Sequence, residues 1–171
     1  SDAPAALGGV RYSISGAASL PSRIIEPWEA RTGGMLVEGY GLTETSPVLT
    51  INPLDDTRRA GTIGLPLPDT QLRIGDPHDL SRTQPDGEAG EILARGPQVF
   101  SGYLADAPAT AAAFHEGWFR TGDMGVREPD GHIRLVGRIK EIIITGGFNV
   151  YPGEVEEALP SHPDIAQAAV V

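Results

Sequence analysis

The 171-residue sequence contains no cysteine, which excludes disulfides, a thiolate nucleophile and cysteine-ligated metals. Basic residues are scarce: 13 Lys and Arg stand against 23 Asp and Glu, for a net charge of -10. Such a balance excludes a broad nucleic-acid or anionic-membrane surface, so an anionic ligand has to be held by local donors or by a cation. Lysine is scarcer still. Lys140 is the one lysine against twelve arginines, so any chemistry that needs a lysine has a single place to occur. No apolar run approaches the ~20 residues of a membrane-spanning helix. The N-terminus also lacks the basic and then apolar pattern of a secretory signal, so a cytoplasmic location is the default, with peripheral contact at a membrane surface left open.

Glycine and proline are abundant instead, at 22 and 15, and they fall mainly between short apolar runs. That pattern predicts many turns joining short strands, and a mixed α/β, strand-rich fold. From Val10 the sequence alternates Val10, Tyr12 and Ile14 against Arg11, Ser13 and Ser15, as a strand with one buried face does. It then enters the small-residue stretch 16–21. Pro21 opens an apolar-periodic run over 22–31, with Ile24, Ile25 and Trp28 as its expected buried face and Gly33 and Gly34 as its stop. The unit reads as strand, tight turn, helix. Beyond Pro47, strand patterns at 70–74, 91–95 and 132–136 alternate with the turns 85–87 and 129–131, which predicts a small, partly open barrel. The alanine-rich 107–115 interrupts it as a short surface helix.

Three clusters carry chemistry. Residues 38–47, Glu-Gly-Tyr-Gly-Leu-Thr-Glu-Thr-Ser-Pro, follow a short apolar run. Gly39 and Gly41 allow close backbone approach to a ligand, and Tyr40 offers a face for a planar base. Thr43 can donate to a phosphate oxygen, and Glu44 can hold a hard cation such as Mg2+. A strand ending in a glycine turn accounts for the same residue types. In residues 117–123, Gly-Trp-Phe-Arg-Thr-Gly-Asp, the carboxylate of Asp123 follows a glycine turn and can accept from two neighbouring hydroxyls. The third cluster, 137–152, reads as a strand of three isoleucines, a loop at Gly146 and Gly147, and a helix opened by Pro152. Glu154, Glu156 and Glu157 stand near the positive end of that helix.

These motifs, in this order, resemble the adenylate-forming superfamily of acyl-CoA synthetases, luciferases and peptide-synthetase adenylation domains. The resemblance runs over 13–171. Asn52-Pro53 and the stretch 61–66 are most similar to long-chain fatty acyl-CoA synthetases. It implies the C-terminal part of the family's large domain over 1–139, with a small distorted β-barrel. It also implies a hinge and the first strand-helix-strand of a small α+β domain over 140–171. The implied substrates are a fatty acid, ATP and CoA, with Mg2+ as cofactor. Implied nucleotide contacts are Gly16, Ala17, Tyr40 and Gly41, with Asp123 and Arg138 on the ribose. Thr43 and Glu44 would serve catalysis at the phosphates, Glu44 as the metal ligand. Lys140 would be the hinge, and Gly147 would border the passage for the pantetheine arm of CoA, where a bulky side chain would block it.

Two parts of the family pattern are missing. Nothing before Gly16 matches the phosphate loop that ends in a lysine, and the late catalytic lysine has no candidate. The sequence therefore reads as a fragment that stops at Val171, in the second strand of the small domain. Three alternatives stand beside the fatty acid-CoA ligase reading: a fatty acyl-AMP ligase loading a carrier protein, a peptide-synthetase adenylation domain, and a non-catalytic nucleotide-binding module of the same fold. A homodimer of the fragment would report faces uncovered by truncation more than the parent's assembly. Removing the cationic side chains that stabilise a transferring phosphoryl group costs orders of magnitude in rate, so the purified 171-residue chain is expected not to form acyl-AMP. Mass-spectrometric detection of robust acyl-AMP synthesis by this chain would overturn the expectation.

Overall fold

The computed structural model describes residues 7–18, 20–162 and 164–170, and leaves the side chains of Glu157 and Ser161 undescribed. Ser19 in the expected turn, the Glu157 side chain in the expected helix and the terminal Val171 therefore lie outside the described residues.

The predicted strand-turn-helix is present. Strand β1 (Tyr12–Ser15) runs parallel to β2 (Met35–Tyr40), with helix α1 (Ser22–Thr32) crossing between them, and β3 (Thr50–Ile51) and β4 (Leu65–Pro66) complete a four-stranded sheet. Helix α1 stops at Gly33, whose N–H returns to the Glu29 carbonyl. The expected buried faces are not the observed ones. Tyr12 is 48% and Ile14 62% exposed, Ile24 is exposed too, Ile25 is half-buried, Trp28 keeps part of its ring in solvent while reaching β1, and Thr32 is the buried residue of α1. The cause is which face the helix covers. Trp28 Nε1 donates to Ser13 Oγ at 3.2 Å, so α1 lies over the serine side of β1 and leaves the Tyr12 and Ile14 side without a packed element among the described residues.

A second sheet is antiparallel throughout. It is built from β5 (Gln71–Asp76), β6 (Asp79–Thr83), β7 (Ala89–Arg95), β8 (Phe114–His115), β9 (Trp118–Arg127) and β10 (Ile133–Arg138) in the order β10-β9-β7-β5-β6, with β8 paired to β9. Ile63 N–H donates to the Ile133 carbonyl and Ile133 N–H to that of Gly64, which joins β10 to the first sheet and curls the whole into a nearly closed barrel. Two apolar clusters fill it: Ile63, Ile74, Ile92 and Ile133, and then Leu49, Ala94 and Phe119. Tyr40 and Leu72 touch both.

Helix α2 (Ala107–Ala113) is capped by Asp106, whose carboxylate accepts from Ala109 N–H. It ends two residues before the expected boundary because Phe114 turns into β8 and packs with Phe100 and Phe119. The glycine turn expected before Asp123 is instead part of the ten-residue strand β9. Its ladder with β7 slips between Glu91 and Leu93, and side chains replace the lost bonds: Thr121 Oγ1 donates to the Ile92 carbonyl, and the Glu91 carboxylate accepts from Gly122 N–H.

The C-terminal region adds a short turn (Ile139–Glu141), a hairpin of β11 (Ile143–Thr145) and β12 (Phe148–Val150), and helix α3 (Pro152–Ala158). Strand β12 replaces the loop expected from sequence. The strand expected after α3 is not formed over 166–170, where Val170 N–H bonds to the Glu156 carboxylate and takes no place in a ladder.

Glu91 is 2% exposed inside the barrel and is held by Arg120, whose Nη2 lies 2.9 Å from Oε2. Removing a partner from a buried ion pair leaves an uncompensated charge. Arg120→Ala is therefore expected to lower unfolding free energy by about 3 kcal/mol, and the double change Glu91→Leu with Arg120→Ala by clearly less. Urea titration of both variants measures the difference.

Candidate functional site

The C-terminal end of β2 meets β9 and β10 where the two sheets adjoin. There Tyr40 Oη donates to Asp123 Oδ2 at 2.6 Å, although the two residues are 83 positions apart in sequence. Arg138 Nε lies 3.1 Å from the other carboxylate oxygen, Oδ1, with the Arg138 side chain itself largely exposed. Asp123 is 5% exposed. Burial pushes its carboxyl above the ordinary aspartate value, the Tyr40 hydrogen bond and the Arg138 guanidinium pull it back, and the charge of Glu141 adds to the rise. Burial and the neighbouring carboxylate likewise push the Tyr40 phenol upward, so it stays a donor.

These groups open onto a cleft of about 880 Å³. One wall is the turn after β1, through Ala17 and Ala18, and the floor is Gly39, Tyr40 and Gly41. The far side is β10 and α3, through Arg138, Glu141, Glu154 and Glu156. Of the residues singled out from sequence, the cleft gathers Ala17, Tyr40, Gly41, Asp123 and Arg138. Gly16 stands next to Ala17, exposed, at the end of β1. Ala17 holds a left-handed backbone at φ 67°, a conformation costing an L-residue about 1–2 kcal/mol. Gly41 has a reason of its own. A Cβ there would lie 1.8 Å from the Pro47 carbonyl oxygen, so the strand end and the returning chain pack backbone to backbone.

Thr43 and Glu44 lie outside the cleft lining, on the short 3-10 turn Thr43–Thr45. Thr45 builds this turn. Fully buried, its hydroxyl accepts from Leu42 N–H and lies within hydrogen-bond reach of the Leu42 and Pro47 carbonyls, each at 3.0 Å. Thr43 is exposed and Glu44 half-buried as a result. Glu44 Oε1 accepts from Tyr103 Oη at 3.0 Å, and that bond holds the Tyr103 phenol above its ordinary value. No group of three His, Asp or Glu side chains forms a metal cage among the described residues. One carboxylate at a water-accessible turn fits a Mg2+ ion that draws its other ligands from phosphate oxygens and water.

Lys140 and Gly147 stand apart from these groups. Lys140 is exposed in the turn after β10. Gly146 and Gly147 form the two-residue turn of the β11–β12 hairpin with φ of 58° and 84°, and a Cβ at Gly147 would meet nothing within 4 Å. A two-residue hairpin turn with positive φ at both positions calls for glycine by itself, independently of any passage nearby. Sequence reasoning passed over Glu91, Thr121, Thr45 and Tyr103, which brace the functional candidates. A Thr one or two residues from a candidate carboxylate was the available signal for Thr45 and Thr121, and Glu91 gave none because its partners are 29 and 31 positions away. Tyr103 gave none, because its partner is 59 positions away.

A parallel strand-helix-strand unit set against a nearly closed antiparallel barrel, with a carboxylate buried at their junction, defines an α/β protein with a cleft of mixed polar and apolar lining between its sheets. The chain belongs to the AMP-binding enzyme family, whose sequence model matches residues 1–104. It is 42% identical over 162 residues to a long-chain-fatty-acid–CoA ligase of Yersinia pestis, covering 95% of this chain and 28% of that protein. It is 44% identical over 168 residues to an indoleacetate–CoA ligase of Aromatoleum aromaticum, covering 96% of this chain and 32% of that one. The crystal structure of ATP-bound MatB from Rhodopseudomonas palustris superposes with a TM-score of 0.86 at 40% identity, over 92% of this chain and 31% of MatB. The chain thus spans about a third or less of the length of these relatives.

The raised Asp123 carboxyl has a consequence for stability. The unfolded chain releases this proton near the ordinary value of about 4, before the folded chain does, so Asp123 lowers stability as pH rises through the interval between the two values. Asp123→Asn removes that dependence. The stability of Asp123→Asn relative to the unmodified chain is expected to be more favourable at pH 7 than near pH 4, as read from urea midpoints of both proteins at each pH.

Proposed function

We propose that the parent of this chain is an ATP-dependent fatty acid-CoA ligase. The observation that carries the reading is the Tyr40–Asp123–Arg138 assembly at the cleft, in a chain of the AMP-binding enzyme family. Tyr40 has its ring packed against the core on one side and the cleft beside it, which suits stacking on adenine, with Gly16 and Ala17 alongside. Asp123 is acceptor-only when ionised and is held at both oxygens, so it suits the two ribose hydroxyls, with Arg138 beside it. Thr43 donates to the phosphates. Glu44 takes the Mg2+, which when bound supplies charge neutralisation and orientation at the phosphates.

In the first half-reaction a carboxylate oxygen of the acid attacks the α-phosphorus of ATP, the bond to the β-phosphate breaks, and pyrophosphate leaves. In the second, the CoA thiol loses its proton, sulfur bonds to the acyl carbon, and AMP departs with the electrons of the acyl–oxygen bond. Residues 1–139 are the end of a large domain in this reading and 140–171 the start of a small one. Exposed Lys140, directly after the barrel's last strand, is the hinge, and the Gly146-Gly147 turn borders the CoA passage. Similarity to fatty-acid and indoleacetate CoA ligases alike supports a carboxylic acid substrate, and the fatty acid is the finer part of the proposal.

The test uses the full-length parent with Mg-ATP, fatty acids from acetate to palmitate and indoleacetate, with and without CoA, and reads products by mass spectrometry. Acyl-CoA formed only with CoA, and best from long-chain acids, is the expected result. Acyl-AMP that CoA cannot discharge would replace the reading with an acyl-AMP ligase. Absence of nucleotide turnover with every acid would replace it with a non-catalytic module.

A further inference from the structure

Segment 99–110 grips the Thr43–Thr45 turn from outside the cleft. Phe100 N–H donates to the Glu44 carbonyl at 2.8 Å, Tyr103 stacks edge-on against Phe100 with ring centroids 4.9 Å apart, and Tyr103 Oη reaches Glu44 Oε1. The Tyr103 backbone is itself fixed, because its N–H donates to Thr110 Oγ1 at 2.9 Å and that hydroxyl donates to the Asp106 carbonyl at the start of α2. Phe100 in turn packs on Phe114 and Phe119 of the barrel. A chain of rigid contacts therefore runs from the barrel core to one oxygen of the Glu44 carboxylate. Among the described residues, the Tyr103 bond is the hydrogen bond that this carboxylate makes.

We propose that Tyr103 is a positioning residue for Glu44: by donating to Oε1 it fixes the carboxylate rotamer and leaves Oε2 directed for a divalent cation carried on nucleotide phosphates. The inference rests on the proposed role of Glu44 as the cation's carboxylate. A freely rotating glutamate has to lose side-chain freedom when it captures a cation, and a carboxylate already held in one rotamer has less to lose. Mg2+ tolerates little departure from octahedral geometry, so a preset oxygen favours it in particular. Tyr103 is 41% exposed, and Tyr103→Phe removes one hydroxyl from a surface ring while keeping its contact with Phe100.

The experiment uses the full-length parent with α,β-methylene-ATP and Mn2+ as the probe, and reads free Mn2+ by electron paramagnetic resonance for the unmodified protein, Y103F, E44Q and the double variant. Loss of one hydrogen bond for which water competes predicts about 3- to 10-fold weaker Mn2+ binding in Y103F, at unchanged Tm. E44Q weakens it further, and Y103F adds nothing in the E44Q background, as a residue acting only through the Glu44 carboxylate requires. If E44Q weakens Mn2+ binding and Y103F does not, or if Y103F weakens it equally in both backgrounds, the positioning role is wrong. If E44Q itself leaves Mn2+ binding unchanged, the reading of Glu44 fails instead. A Y103F protein with a lowered Tm is replaced by T110V, which frees the Tyr103 backbone and is expected to show the same dependence on Glu44.

Discussion

The hydrogen bond from Tyr40 to Asp123 is the constraint on which the rest of this structure depends, because it ties the mixed four-stranded sheet to the antiparallel one at a buried carboxylate. A carboxylate removed from water destabilises the fold unless its oxygens find donors, and here one oxygen takes a phenol and the other a guanidinium. Each donor comes from a different element: Tyr40 ends β2, Arg138 ends β10, and Asp123 sits mid-strand on β9. Two strand ends and the middle of a third strand therefore have to arrive together, beside the slip of the β7–β9 ladder between Glu91 and Leu93. Glu91, held by Arg120 and bonded to Gly122 N–H, stabilises that slip from inside the barrel.

A rising carboxyl pKa through burial is a stability penalty, and nothing in the fold alone demands it, since an asparagine or a threonine would also bond Tyr40. Proteins retain such penalties where a site needs the charge. The left-handed backbone of Ala17, in the bend that leaves β1, lies on the wall of the same cleft. Two independent departures from an optimal fold, facing one space, argue for a ligand there more strongly than either motif alone.

Periodicity and turn residues made the barrel legible: the strands at β5, β7 and β10 and the turns at Gly87 and Gly131 fall where alternation and Pro-Asp-Gly clusters put them. Which face of β1 is covered was not legible. Alternation tells that Tyr12 and Ile14 share a side, but only the partner element decides whether that side is buried, and α1 packs on the serines. Strand β9 was misread as a turn because glycine signals a bend, and a bulge is a bend that the sheet absorbs. Strand β12 was missed for a related reason: a glycine pair after a strand reads equally as a loop or as a hairpin, and the pairing of Phe148 with Thr145 is information held between segments. The site's primary groups stood out because they are chemically unusual in their strings. Their braces, Glu91 and Tyr103, are ordinary residues that matter only through contacts across 29 and 59 positions.

The two tyrosine–carboxylate pairs use one device at opposite extremes of burial. Tyr40 and Asp123 meet at 2.6 Å away from solvent, where a low dielectric strengthens the bond and makes leaving either group unpaired expensive. That pair holds a preset acceptor whose geometry resists change. Tyr103 and Glu44 meet at 3.0 Å near the surface, where water competes for the bond and the other carboxylate oxygen stays within reach of solvent. In the roles proposed for them, a carboxylate that exchanges water for a cation suits the second kind of environment, and one that recognises a neutral pair of hydroxyls suits the first. The placement of one pair between the sheets and the other on an exposed turn is what the proposed division between recognising a ligand and handling a charge calls for.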